Sequence, residues 1–502
     1  MAAIERDTGR HAEHLVLESE SARMIVLKFG GTSVANAQRI RDAARIALDQ
    51  PAPRVVVVSA AAGVTNALLE AARAAAKGDP ERRAAAVARI HDIHHQILDG
   101  ITASAARDDV QAALLDRHAG LDRDLDDIAA AGELSDRLSD RIVATGEKCL
   151  AILMAATLRD LGADARSVFT ETVIATDNRH GAARPDRART RENATRVIHP
   201  LLEDGATVVA TGFIGASLAG ETTTLGRGGS DYSATLLGAA LDAVEVQIWT
   251  DVPGVLSADP RTVPHALVVP EISYDEAQEL AHFGAKVLHP RTIRPAVARD
   301  IPVRILSTFA PDEPGTVVTR ETSSDRIKAV TALSGLILLT LDVAELEDLA
   351  PAASAAFRVM HERGIEILTV SQSSSRRRMT YLIDAVGGGC PKLREHLGDA
   401  MRDSEAVVTC QEHVAVLAAV GNGAASTAAV LSRMMAVLHR AGVTVLATHQ
   451  QTSNVAMLAV VADDDAARAV SAVHDAFIRP VAERRARRQR RSDLMAEAVR
   501  VG

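Results

Sequence analysis

Lys28 ends an apolar run, Val26-Leu27-Lys28-Phe29, and is followed by Gly30-Gly31-Thr32-Ser33-Val34. Glycines let backbone N–H groups approach an anion closely, a helix starting there adds its positive end, and the lysine adds a mobile full charge. That combination suits a phosphate. The lysine precedes the glycines and no G-x-x-x-x-G-K-[ST] occurs, so this is not a Walker A loop. By itself the run reads equally well as an ordinary turn after a strand.

Three further runs place charge where a plain turn needs none. Thr222-Thr223-Thr224-Leu225-Gly226-Arg227-Gly228-Gly229-Ser230-Asp231 opens a helix with backbone donors, an arginine able to grip a carboxylate, and an acid able to orient a lysine. Ile248-Trp249-Thr250-Asp251-Val252-Pro253-Gly254, continuing to Arg261, makes a polar crevice at the carboxyl end of a buried strand, where open α/β sheets bind ligands. His282-Phe283-Gly284-Ala285-Lys286-Val287 sets a second lysine in an otherwise apolar stretch.

The elements behind these runs alternate. From Ile25 to Thr308, β-branched strands such as 55–58, 207–210 and 246–249 are interleaved with Ala-rich helices around 35–48, 141–161 and 233–241, which predicts a layered α/β domain with a largely parallel sheet. Residues 66–145 read as a helical insertion. Beyond 325 the chain repeats itself: the spacing from Gly364 to Gln372 recurs from Gly442 to Gln450, and each segment follows an apolar strand and a helix. Two small βαββαβ modules are expected. The division reads 1–23 extension, 24–325 α/β domain, 326–410 and 411–480 modules, and 481–502 Arg-rich tail.

Bulk properties narrow the function. The 502 residues are 47% hydrophobic with seven Phe, three Tyr and one Trp, leaving few platforms for stacking bases. A formal charge of −9 argues against nucleic acid as a partner. No apolar leader and no 18-residue apolar span occurs, so neither export nor a membrane is expected. Cys149, Cys390 and Cys410 follow no metal or redox spacing and fit free thiols in a reducing cytosol, which predicts a cytoplasmic protein.

In order and spacing, the four runs together resemble aspartate kinases of the amino-acid kinase superfamily. Ser59-Ala60-Ala61-Ala62-Gly63-Val64-Thr65-Asn66, Gly146-Glu147, Thr176-Asp177-Asn178-Arg179 and Thr211-Gly212-Phe213-Ile214-Gly215 add to the likeness. The resemblance implies an amino-acid kinase fold, a layered αβα unit with a largely parallel central sheet, followed by two ferredoxin-like ACT modules. It implies ATP-dependent phosphorylation of the L-aspartate side chain to 4-phospho-L-aspartate, toward lysine, threonine and methionine. Lys28 and Asp231 would be catalytic; Ser59, Thr65, Glu147, Arg227 and Ser230 would hold aspartate. Gly30, Gly31, Ser33, Thr250, Asp251, Arg261, Lys286 and Val287, with Lys28, would face ATP, whose phosphates would carry Mg2+.

Ser371-Gln372-Ser373-Ser374-Ser375 looks closer to the kinase part of bifunctional aspartate kinase-homoserine dehydrogenases than to lysine-sensitive enzymes. Gln372 and Gln450 would then contact an amino-acid effector, threonine or lysine. ACT modules commonly pair between subunits, which implies a homodimer or homotetramer. Departures exist: Arg376-Arg377-Arg378 replaces an acidic residue, the turn 344–348 lacks its glycine, and His180 and Leu256 stand where relatives often carry aromatics. The alternative reading is a non-catalytic ACT-based amino-acid sensor that keeps the kinase fold. A glutamate or acetylglutamate kinase is disfavoured by the tandem modules.

Overall fold

The computed structural model describes residues 24–101, 104–285, 290–322, 326–384, 389–401, 406–423, 428–450 and 455–480. The chain divides into two compact units, one of residues 1–255 and 288–320, the other of 256–287 and 321–502. No described helix is long and apolar enough to cross a membrane.

Within the first unit the strands run, in spatial order, Ala165–Val168, Thr207–Thr211, Arg54–Val58, Ile25–Phe29, Glu245–Thr250, Val303–Ser307 and Thr316–Thr319. Every neighbouring pair is parallel except the last. Ile25–Phe29 is buried throughout, as a central parallel strand covered on both faces must be. Parallel pairing brings the carboxyl ends of these strands, and hence Lys28, Ser59, Gly212 and Thr250, to one edge of the sheet. The helices Val64–Ala76, Pro80–Leu98, Ser104–Ala131 and Asp136–Asp160 form the helical part expected between the second and third strands. They share one core with the sheet, in which Leu68, Ile90, Leu125 and Leu150 are fully buried.

The second unit carries a six-stranded antiparallel sheet ordered Ile367–Ser373, Arg378–Ile383, Ala329–Asp342, Val407–Val420, Ala456–Ala462, Ala447–Gln450. Its two middle strands each serve both modules. Residues 329–333 pair with 416–420, whereas 338–342 pair with 407–411, and the register shifts between them at Leu333/Leu336 and Leu336/Leu338. Ile327 and Val330 accordingly pack in one core with Leu417 and Val461, while Ile337 and Leu339 pack in another with Tyr381 and Leu393. The first module is thus inserted between the opening strand of the second and the rest of it. Ala258 and Val263 join the second module's core, which is why 256–287 segregates from the α/β unit.

One expectation is overturned. Cys390 and Cys410 are not free thiols but form a disulfide, with Cα atoms 5.8 Å apart. The helix Gly389–Ala400 lays its first turn against the strand holding Cys410, a contact that spacing along the chain does not reveal. Cys149 is free and buried.

Candidate active site

A cavity of about 680 Å³ opens in the first unit, lined by Lys28, Gly30, Gly31, Thr32, the loop 59–63, Thr65, Asn66, Glu147, Phe213, residues 226–231 and Thr250. Lys28 reaches it from the end of its strand, and its Nζ lies 2.6 Å from Asp231 Oδ1. The pair is largely enclosed, with side chains 11% and 19% exposed. Water therefore screens little of its charge.

Two helices start at the cavity, Val64–Ala76 and Gly229–Ala240. Their N-caps, Gly63 and Gly228, have φ of 88° and 71°, left-handed values that a side chain would strain. No side chain caps either start, so first-turn N–H groups remain for a ligand anion. Gly31 is required for a different reason: a Cβ there would lie 2.7 Å from the Ala60 carbonyl oxygen. The glycine lets the Lys28 loop and the Ser59 loop touch.

Glu147 is buried on the helix Asp136–Asp160 and accepts the Ala60 N–H through Oε1 at 3.1 Å. Its Oε2 has no hydrogen-bond partner. Burial pushes its carboxyl up to about 8, the Ala60 N–H opposing only in part. An orphaned, buried carboxyl oxygen at a cavity wall fits a cationic ligand group. Arg227 is exposed at the rim, in no ion pair among the described residues.

The sequence-predicted residues divide accordingly. Lys28, Gly30, Gly31, Ser59, Thr65, Glu147, Arg227, Ser230, Asp231 and Thr250 line one cavity. Ser33 does not: it is fully buried and its hydroxyl is spent on Thr308 Oγ1 at 2.7 Å. Asp251 is exposed beside Thr250, whose hydroxyl donates to it at 3.2 Å. Arg261 belongs to the second unit, with its guanidinium held by Asp259. Lys286 and Val287 lie outside the described residues. Gln372 is exposed on the strand Ile367–Ser373, and Gln450 ends the repeat-equivalent strand Ala447–Gln450. These strands stand at opposite ends of the sheet order, yet Thr369 Oγ1 and His449 Nε2 approach to 3.3 Å.

Two contributors escaped the sequence reading. Phe213 lines the cavity in a left-handed conformation, φ 69°, with its N–H donating to Ser233 Oγ at 2.9 Å. The signal for it in the sequence is its place in the run Thr211-Gly212-Phe213-Ile214-Gly215. Asp140, 2% exposed, accepts the N–H groups of Gly181 and Thr224 and the Thr224 hydroxyl, and also meets His180 Nδ1 at 3.0 Å. It fastens the strand leading to Arg227 onto the helix that carries Glu147. His180, which departs from the aromatic pattern, is therefore anchored through Asp140.

The amino acid kinase family model matches residues 23–307 and an ACT domain model matches 417–477. The chain is 34% identical over 463 residues to the lysine-sensitive aspartokinase 3 of Escherichia coli, covering 90% of this chain and 99% of that one. It is 34% identical to the chloroplastic aspartokinase 3 of Arabidopsis thaliana, covering 92% and 82%. Against the Arabidopsis bifunctional aspartokinase/homoserine dehydrogenase 2, 32% identical, it spans about half, 50%, of the relative's length. The crystal structure of E. coli aspartokinase III with aspartate and ADP superposes with a TM-score of 0.75 at 31% identity, covering 90% of this chain and 99% of that one.

Proposed function

The chain belongs to the aspartokinase family of amino acid kinases, and we propose that the cavity between Lys28, Glu147 and Asp231 is where its reaction takes place. The protein is an aspartate kinase: it transfers the γ-phosphoryl group of ATP to the side-chain carboxylate of L-aspartate, giving 4-phospho-L-aspartate. The observation that carries the assignment of the site is the enclosed Lys28–Asp231 pair facing the same cavity as Glu147 and Arg227.

The attacking carboxylate is ionised at neutral pH, so no strong general base is needed. Catalysis rests on alignment and on neutralising phosphoryl charge. Lys28 supplies that charge, and Asp231 keeps its Nζ in place. The open N–H groups after Gly228 and the Gly30-Gly31 backbone add fixed donors. Arg227 clamps the substrate α-carboxylate, and Glu147 takes the α-ammonium, which restores to the buried carboxylate the positive neighbour it lacks. Ser59, Thr65 and Ser230 add hydrogen bonds to the substrate. Thr250 and Asp251 serve the nucleotide.

Magnesium, carried by the nucleotide, would offset the negative charge of its phosphates. Asp231 is already paired with Lys28, so the residues of the cavity would offer the ion few ligands of their own. The ACT modules bind an amino-acid effector, threonine or lysine, near Gln372 and Gln450, whose amides both donate and accept. An E. coli relative was crystallised with lysine and aspartate, which supports an effector of this class. A cytoplasmic homodimer or homotetramer completes the reading. The test is hydroxamate formation dependent on ATP and aspartate, with wild type and Lys28→Ala. An inert wild type that still binds amino acids would favour the sensor reading, and an undiminished variant would remove Lys28 from the site.

A further inference from the structure

Behind the Glu147 helix lies a group of side chains that the phosphoryl transfer does not use. His94 on the helix Pro80–Leu98, His118 on Ser104–Ala131 and Cys149 on Asp136–Asp160 come from three different helices, and one donor atom of each lies within 4.8 Å of the others. His94 and Cys149 are 0% exposed and His118 is 4% exposed. His94 Nδ1 is 2.9 Å from His118 Nε2. A hydrogen bond between two neutral imidazoles explains that one contact only. It leaves His94 Nε2 buried with no partner, a costly state for a group shut off from water.

We propose that His94, His118 and Cys149 form a binding site for a borderline-soft divalent transition metal of the zinc class, pinning together three of the four helices between the second and third strands. Two imidazoles and a sulfur, with no carboxylate among them, exclude the hard cations Mg2+ and Ca2+ and match zinc-type ligands. The three donor atoms lie within 4.8 Å of one another, close enough for small side-chain rotations to bring them onto one tetrahedral ion. His91, whose ring stacks on His118 at 4.0 Å, fixes the plane of that ligand.

Binding is an exchange in which the Cys149 thiol gives its proton to solvent as the sulfur–metal bond forms, and nothing is oxidised. The consequence for the enzyme is positional. Cys149 and Glu147 share one helix, so an ion at Cys149 stiffens the wall that receives the substrate amine. His94, His118 and Cys149 are positioning residues for aspartate binding.

The experiment uses the full chain, stripped with a chelator and titrated with Co2+ as a spectroscopic probe and then with Zn2+. The expected result is a thiolate-to-cobalt charge-transfer band saturating at one ion per chain, displaced by Zn2+, with a rise in Tm on loading. Cys149→Ser should lose the band, and His94→Gln should weaken binding by more than about 100-fold, beyond the loss of an outer-shell partner. Circular dichroism of the stripped variants checks folding. If a variant does not fold, the wild-type band and stoichiometry still decide the matter. A wild type lacking the thiolate band, or a Cys149→Ser protein with unchanged Co2+ affinity, overturns the proposal and leaves a simple buried histidine pair.

Discussion

Lys28 Nζ and Asp231 Oδ1 stand 2.6 Å apart, joining the end of a central strand to the first turn of the helix Gly229–Ala240. The contact links two glycine-rich segments about two hundred residues apart and sets one cation beside two open helix starts. A cation about 4 Å from a phosphate oxygen is worth roughly 4 kcal/mol at an effective dielectric near 20, or about 10³ in rate. Lys28→Ala should therefore lower kcat by about that factor in the hydroxamate assay. Asp231→Asn keeps the lysine and loses only its anchor, so a smaller fall, roughly 10- to 100-fold, is expected.

Glu147 offers an unpartnered buried oxygen to the cavity. Glu147→Gln preserves size and the acceptor for the Ala60 N–H but removes the charge. KM for aspartate should rise roughly 10- to 100-fold, the range for a hydrogen bond to a charged group, with a much smaller change in kcat. A change confined to kcat would count against an ammonium-binding role.

Gly31 allows two loops to touch where a Cβ would sit 2.7 Å from the Ala60 carbonyl oxygen. Gly31→Ala should destabilise the fold by about 1–3 kcal/mol in urea unfolding, as other overpacking changes do. Activity should fall with it, because both loops line the cavity. Unchanged stability would mean that the loops separate without cost.

Asp140 accepts from three donors on two segments. Asp140→Ala leaves buried donors unsatisfied, so a loss of at least about 2 kcal/mol is expected, read as a lower urea midpoint at constant m. His180→Phe, by contrast, removes one outer contact of the same carboxylate and should cost less.

His474 supplies a pH dependence in the second unit. It is fully buried, its Nε2 meets Ser257 Oγ at 2.9 Å, and burial first, then neighbouring His265, lowers its proton affinity, against a smaller opposite pull from Asp475. The unfolded chain, with a histidine near 6.5, takes up a proton that the folded chain refuses. Stability of this unit should be level above about pH 6.5 and decline as pH falls below it. His474→Gln should flatten that slope in unfolding midpoints measured from pH 7.5 to 5.5; an unchanged slope would assign the acid sensitivity to other groups.

Short-range pattern carried most of this molecule. The runs around Lys28, Arg227 and Thr250 could be read because strand-end glycines and charges are local features, and parallel pairing then brings strand ends together. The helix expected at 233–241 begins earlier, at Gly229, because a left-handed Gly228 caps it without any side-chain signal. Ser33 has the residue type for phosphate binding, but the fold turns its hydroxyl into the interior, onto Thr308.

By itself the sequence determined the α/β unit, the repeated modules, and the charged set Lys28, Glu147, Arg227 and Asp231, since each depends on residue type and near-neighbour spacing. Only the tertiary structure decided contacts between distant segments. It threads the first ACT module between strands of the second, because a 14-residue strand can pair with different partners along its length. It joins Cys390 to Cys410, hangs three donors on Asp140, and gathers His94, His118 and Cys149 from three helices. Each of those depends on packing of apolar faces that bring remote residues within a few ångströms, a distance on which the order of residues along the chain is silent.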